Sequence, residues 1–513
     1  MDRRWILTCG ALPLLVGCAG PPRSPRSADR CHYSVELRDA PGAVLDVDAR
    51  CSGPEVRSFA LDAEGAAPFV RVWQGDHPLG RDQRAYILQD AGRDVRIHYE
   101  VNLAEMGDEY QDFDIALHQS DAAGAAVVSP ASTWLLLPEP LPAGLPVTVS
   151  IKLPHGTKFR TGLRSVGAHG PSGEGDYELL AQEIPVATYS AFGDLKVETL
   201  SFPPPISCTG SADPACEHGT LEVVSLPRLE HRPEARKELL AWVGRSATAV
   251  STFWRGFPVS RATLFLVPVR NRDDVIFGKV LPASAPAIAL LVGEDASQAE
   301  LDDDWILVHE LFHLGVPSFS GEGKWFDEGL ATYYEPVIRA RAGNKTEVDV
   351  WTEFAHQMHK GLDAMRSTGL EGTQDYDAVY WGGALVCLLA DIEARRSSGG
   401  RLGLEDGLRE VLREGGQASE VWPLAKVMQV VDRTLGSSVL SELNARYGLQ
   451  GSAVDLGRLL GDLGVSQRES GVAFVAAPDA ELRRWLVYPD SRRADAVSKA
   501  TGGRPGLELA PAR

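Results

Sequence analysis

Between Cys31 and about Pro205 the chain alternates apolar and polar positions in short runs. Examples are "HYSVELRD", "VRIHYEVNL" and "LPVTVSIKL", with Gly, Pro and Asp between the runs. A period of two puts every second side chain on one face of a pleated strand, so each run predicts a strand with one buried face. Together they predict an antiparallel β-sandwich over residues 31–205. Residues 206–220, "ISCTGSADPACEHGT", break the pattern and read as a cysteine-containing linker. Beyond it the period lengthens. "RPEARKELLAWVGRSATAVSTFW" (232–254) has helical spacing, and "ATLFLVPV" and "PAIALLVG" read as buried strands. "LDDDWILVHELFHLG" then opens on acids and continues as an amphipathic helix, the acids standing at the positive end of its dipole. Further helices follow to about residue 465. The chain is thus expected to be α+β and multidomain, with a second domain over 221–470 whose C-terminal part is helical. Residues 471–513 form a C-terminal extension whose tail, "SRRADAVSKATGGRPGLELAPAR", has little to bury.

The first 30 residues follow neither period. Arg3 and Arg4 precede an apolar run from Trp5 to Val16 that is too short to span a bilayer, the pattern of an export signal over residues 1–17. Leu15-Val16-Gly17-Cys18 resembles the lipobox of bacterial lipoproteins. The resemblance implies cleavage before Cys18, a lipid on its thiol, and anchoring in the cell envelope. Ala19 lacks the aspartate that marks inner-membrane retention, so the outer membrane is expected, facing periplasm or exterior; the alternative is a plain secretory signal. Residues 18–30 read as a flexible tether. Export changes the reading of the seven cysteines. In an oxidising compartment Cys31 with Cys51, and Cys208 with Cys216, are plausible local disulfides, while Cys387 lies in an apolar run as a buried free thiol. A net charge of −19, spread along the chain, disfavours nucleic acid as a partner.

Within the amphipathic helix, His309 and His313 lie four residues apart and so share a face. Glu310 is offset around the helix, placed to reach a water on an ion held by the two imidazoles. Of the 12 histidines only this pair has the spacing and the enclosed glutamate. A catalytic zinc needs a third protein ligand and an open position. The nearest candidate is Glu328 in "KWFDEGLATYYEPV", on a helix expected from about Trp325 to Ala340; Asp327 would point about 100° away. Asp302, Asp303, Asp304 and Glu335 are candidates for bonds to the ligand histidines. His356 and His359, three apart with no glutamate between, read as a polar helix face.

"HELFH" followed by "WFDEGLATYYE" resembles the gluzincin zinc metallopeptidases, in particular the glycyl aminopeptidase family, and "YDAVYWGGALVCLLADIEAR" is similar to the Y-x-K-G-A-L segment of those enzymes. The resemblance implies a thermolysin-like zinc peptidase domain with one Zn²⁺ per chain. His309, His313 and Glu328 would be its ligands, Glu310 the general base, and Tyr380 the oxyanion donor, with Tyr376 as an alternative. A peptide or protein would be the substrate, docking along the strand "PAIALLVGE". Three features depart from the family. Only residues 314–327 separate His313 from Glu328, and Gly382 replaces the lysine of Y-x-K-G. The acid that grips a free amine in the aminopeptidases has no counterpart in its usual pattern, although Glu294 or Asp295 could substitute. The competing readings are a catalytically silent binding module and a zinc hydrolase of a non-peptide bond.

Overall fold

Strand Arg30–Leu37 buries every second residue, including Tyr33 and Val35, which no solvent reaches. It belongs to a computed structural model that describes residues 29–38, 42–142, 144–209, 216–231, 233–282 and 285–489. The expected signal, Cys18, most of the tether and the tail after residue 489 lie outside the described residues. In the N-terminal part this strand is central to a ten-stranded sheet. It pairs antiparallel with Val44–Ala60 and parallel with Pro146–Lys152. The sheet is therefore mixed, not purely antiparallel as expected. Only six residues separate the strand from its antiparallel partner, whereas the parallel one arrives after a connection of the length that parallel pairing requires. A four-stranded sheet, in the order Lys158–Thr161, Tyr189–Gly193, Gly124–Pro130, Leu117–Asp121, forms the other layer. Cys31 and Cys51 are register partners and form a disulfide; Cys208 and Cys216 form a second, and Cys387 is buried and free.

The second sheet system has five strands. Their order is Lys196–Phe202, Gly219–Ser225, Arg261–Val269, Ala287–Gly293, Val275–Leu281, with parallel pairing at the centre and antiparallel edges. Leu117, Val128, Tyr189 and Ala191 of the four-stranded sheet share a core with Val224, Phe265, Val267 and Ala289 of this one. The N-terminal part thus rests directly on the sheet that carries the helices. Helix α1 (Pro233–Trp254) connects two of its parallel strands. The expected 301–315 helix is broken into Gln298–Asp303 and α2 (Ile306–His313). Asp304 causes the break, because its carboxylate accepts from the amides of Ile306 and Leu307, each at 3.0 Å, and so starts a new helix. Next come α3 (Lys324–Arg341), α4 (Gly383–Ser398) and α5 (Leu404–Arg413). Near the end, the hairpin Val465–Arg468/Gly471–Phe474 precedes helix Ala480–Val487, which buries Leu482, Leu486 and Val487 against the same helical core. No helix among the described residues is long and apolar enough to cross a membrane.

Candidate metal centre

Helix α2 is short and apolar, and it buries both histidines: His309 is 2% exposed and His313 8%. Helix α3 runs against it and brings up Glu328. One Glu328 carboxylate oxygen, Oε2, lies 3.3 Å from His309 Nε2 and 3.6 Å from His313 Nε2. The donor atoms of the three residues all fall within 4.8 Å of one another. Two largely buried imidazoles and one carboxylate converging in this way are the donor types that catalytic zinc takes, so the residues present fit that ion. Burial would raise the Glu328 carboxyl, yet hydrogen bonds from the two histidines hold it well below the usual carboxylate range.

The residues around the donors were partly missed in sequence. His313 Nδ1 bonds Asp327 Oδ1 at 2.9 Å, so the neighbour of Glu328 fixes the tautomer and orientation of the second histidine. The four acids named above for that task do other things. Asp304 caps α2; Asp302 pairs with Arg245 at 2.7 Å; Glu335 pairs with Arg339 at 3.0 Å; and the Arg339 guanidinium donates to the Asp303 carbonyl at 2.8 Å. His309 Nδ1 is buried with no hydrogen-bond partner among the described residues. Its ring is held instead by stacking on Tyr380, centroids 5.8 Å apart and 10° from parallel, and by the edge of Trp305 at 5.5 Å. Trp305 is 48% exposed, an apolar surface at the mouth of the site.

Glu310 lies against the edge strand Val275–Leu281. A Cβ on Gly278 would fall 2.7 Å from Glu310 Cγ and 2.8 Å from Ile306 Cγ2, so only glycine lets the strand approach this closely. An isolated glycine inside a strand pattern is a sequence signal of such close approach. Burial pushes the Glu310 carboxyl up, opposed by the charges of His309 and His313 and by a hydrogen bond from the Val280 backbone. The edge beside the site is thus Val275–Leu281. "PAIALLVGE" does not supply it, because Ala287–Gly293 is an interior strand bonded on both sides. Glu294 continues that interior strand four residues beyond Leu290, the register partner of Gly278, which is about 13 Å along the sheet. There it pairs with Arg228 at 3.0 Å and, with Asp295, lines a different cavity. Lys279, next to Gly278, is ion-paired to Asp114 of the N-terminal part.

Tyr380 falls in a π-helical turn, Ala378–Gly382, that leads into α4. Burial, together with the charges of Glu328 and Glu310, raises its pKa far above the ordinary phenol. Tyr376 is 51% exposed, with its ring 6.5 Å from that of Tyr380. His356 and His359 are exposed and belong to no ligand-like cluster among the described residues. A second group, Asp46, His98 and Glu100 on the N-terminal sheet, also has donor atoms within 4.8 Å, but Arg38 bonds both carboxylates and fills the cation position.

No protein-family model and no curated protein matches the sequence. Among solved structures, the chain is similar to an aminopeptidase N family protein from Idiomarina loihiensis, with a TM-score of 0.61 and 15% identity over 85% of this chain and 78% of that one. It also matches an M1 zinc metallopeptidase from Deinococcus radiodurans (TM-score 0.46, 14% identity, 82% of this chain and 93% of that one). Yeast LTA4 hydrolase matches as well (TM-score 0.49, 12% identity, 87% and 73%). At such identities the likeness speaks of fold. The chain shares with the Idiomarina loihiensis protein a sheet-rich N-terminal part leading into a mixed sheet and helices, and in those helices it gathers His309, His313 and Glu328 into one donor set.

Proposed function

We propose that this chain is a zinc-dependent peptidase of the gluzincin type. The observation that carries the reading is the convergence of His309, His313 and Glu328 with Glu310 and Tyr380 beside an open sheet edge. The likeness of the fold to that of the aminopeptidase N family protein from Idiomarina loihiensis supports it. A zinc held by the three donors supplies Lewis acidity, making water nucleophilic near neutral pH and polarising a substrate carbonyl.

The remaining steps belong to the protein. Glu310 Oε takes a proton from the attacking water, for which its raised pKa suits it, and delivers that proton to the departing amide nitrogen. The Tyr380 hydroxyl, kept protonated by its surroundings, donates a hydrogen bond to the carbonyl oxygen as negative charge develops there. An extended peptide can add to the free edge of Val275–Leu281, with Gly278 giving it close access to Glu310. Glu294 and Asp295 stand away from this edge, so the substrate's free amine does not depend on them. In Glu310→Gln, turnover on a peptide library falls about 10²- to 10⁴-fold while bound zinc, measured by elemental analysis, stays at the wild-type level. Undiminished turnover in that variant rejects the mechanism, and absence of any cleavage by the zinc-loaded wild type favours a binding module. The positions of the cuts separate aminopeptidase from endopeptidase.

The same proposal includes export and lipidation at Cys18, supported by the Leu15-Val16-Gly17-Cys18 sequence and by two disulfides that suit an oxidising compartment. Cys18→Ala is expected to lose metabolic labelling by palmitate and to leave the membrane fraction. Retention of both refutes the anchor.

A further inference from the structure

Beside the C-terminal part of helix α3 lies a cavity of about 1060 Å³, walled by Leu200, Phe202, Phe253 and Ile338. It shares no residue with the metal centre. Helix α3 connects the two: Glu328 stands near its start and Arg341 at its end, roughly 20 Å apart at 1.5 Å per residue.

The charge of this cavity differs from that of the chain. Arg255, Arg341, Arg395, Arg401 and Arg409 line it. Against them stand Glu405 and Asp406 in the wall, and Asp391 behind Arg395. Five guanidiniums facing three carboxylates leave an excess of two positive charges, in a protein whose net charge is −19. The sixth arginine of the wall, Arg245, is neutralised by Asp302 at 2.7 Å.

The acids are already shared. Both oxygens of Glu405 are taken by Arg395, at 2.8 and 2.6 Å, with Arg341 at 3.4 Å. Asp406 serves Arg409 at 3.2 Å and Arg255 at 3.5 Å. Arg401, exposed at the mouth, forms no ion pair among the described residues. The floor is rigid: Arg395 is 1% exposed and Arg409 8%, and the Arg409 Nε donates to the Phe253 carbonyl at 2.8 Å. The Arg341 and Arg409 guanidiniums both lie over the Phe253 ring, at 5.8 and 5.2 Å from its centroid. Burial lowers the pKa of Arg409, opposed by the charges of Glu405 and Asp406 and helped by those of Arg255 and Arg341. Arg255 is also held at a φ of +60°, a conformation that costs a non-glycine residue energy and that places its side chain at the mouth.

The buried or half-buried guanidiniums of Arg341, Arg395 and Arg409 are answered by Asp391, Glu405 and Asp406, so the surplus of two positive charges sits with the exposed Arg255 and Arg401 at the mouth, where planar forks of N–H donors match oxyanions in pairs. We infer that this cavity is a binding site for a small molecule that carries a dianionic group, phosphate or dicarboxylate. The inference is independent of the peptidase reading, since no residue of the cavity belongs to the donor set.

The test is calorimetric titration of the mature zinc-loaded protein with inorganic phosphate and with succinate, and with acetate as a monoanion control. Saturable binding of one dianion, at least about 10-fold tighter than acetate, is expected; which one binds identifies the head group. Arg255→Gln combined with Arg401→Gln, both at the exposed mouth, should weaken that binding about 10-fold or more while peptide cleavage is unchanged. Arg409→Lys, a buried variant, should weaken it also, with circular dichroism confirming the fold. Absence of saturable heat for both dianions up to about 10 mM, or equal affinity in the mouth variant and the wild type, overturns the inference.

Discussion

Asp327 and Gly278 show what single residues contribute beside the donors. Asp327 holds His313 by its other ring nitrogen, at 2.9 Å, so Asp327→Asn should leave the ligands in place but release the imidazole's orientation. Zinc affinity, measured by competition with a chelator of known strength, is expected to drop about 10- to 100-fold. An unchanged affinity would mean that helix packing alone orients His313. Gly278→Ala places a methyl 2.7 Å from Glu310 Cγ and 2.8 Å from Ile306 Cγ2. The substitution should depress turnover by displacing Glu310 or the strand while leaving zinc content intact, a split that separates positioning of the base from metal binding. Equal turnover would show that the strand can retreat at no cost.

At the scale of elements, helix α3 carries a buried pair whose pH behaviour can be read directly. Burial first, then the nearby Glu353 charge, raise Glu335 from an ordinary 4.5 to about 8 despite its bond to Arg339. The fold therefore favours the protonated form. The stability this group contributes is full below about pH 4.5 and is lost as the pH rises through about 8. Thermal melts should fall between about pH 5 and 8 more steeply in the wild type than in Glu335→Gln, which does not titrate. Parallel slopes would refute the assignment. The helices themselves were legible: periodicity predicted α1 and α3 to within one residue at each end, because their apolar stripes follow the 3.6-residue period. The break at Asp304 was not, since an aspartate near a helix start looks the same whether it favours the helix dipole or caps a second helix.

For the whole molecule, the metal is expected to be a stabilising ligand as well as a catalytic one, because its donors come from two helices that it would tie together. Stripping by a chelator should lower the melting temperature and abolish cleavage, and added zinc should restore both together. A ligand that binds only the folded state at about 100 times its Kd adds roughly 2.7 kcal/mol. Restored melting without restored cleavage would separate the metal site from the activity. The N-terminal part enters this picture through its four-stranded sheet, which packs on the five-stranded sheet, and through the Asp114–Lys279 ion pair beside the site.

The sequence by itself determined the local terms: strand and helix periods, the two nearby cysteine pairs, and the histidine pair whose four-residue spacing forces one face. It pointed as well to Glu328, because a helix following so soon after α2 has few ways to return. Contacts between distant segments were decided only by the tertiary structure. Which strand is the free edge depended on pairing order across the five-stranded sheet, and periodicity is the same for an interior strand and an edge strand flanked by neighbours. Which acid orients His313 depended on how two helices cross. The arginine cavity, drawn from residues 255, 341, 395, 401 and 409, has no sequence signature, because long-range packing alone brings those charges to one wall.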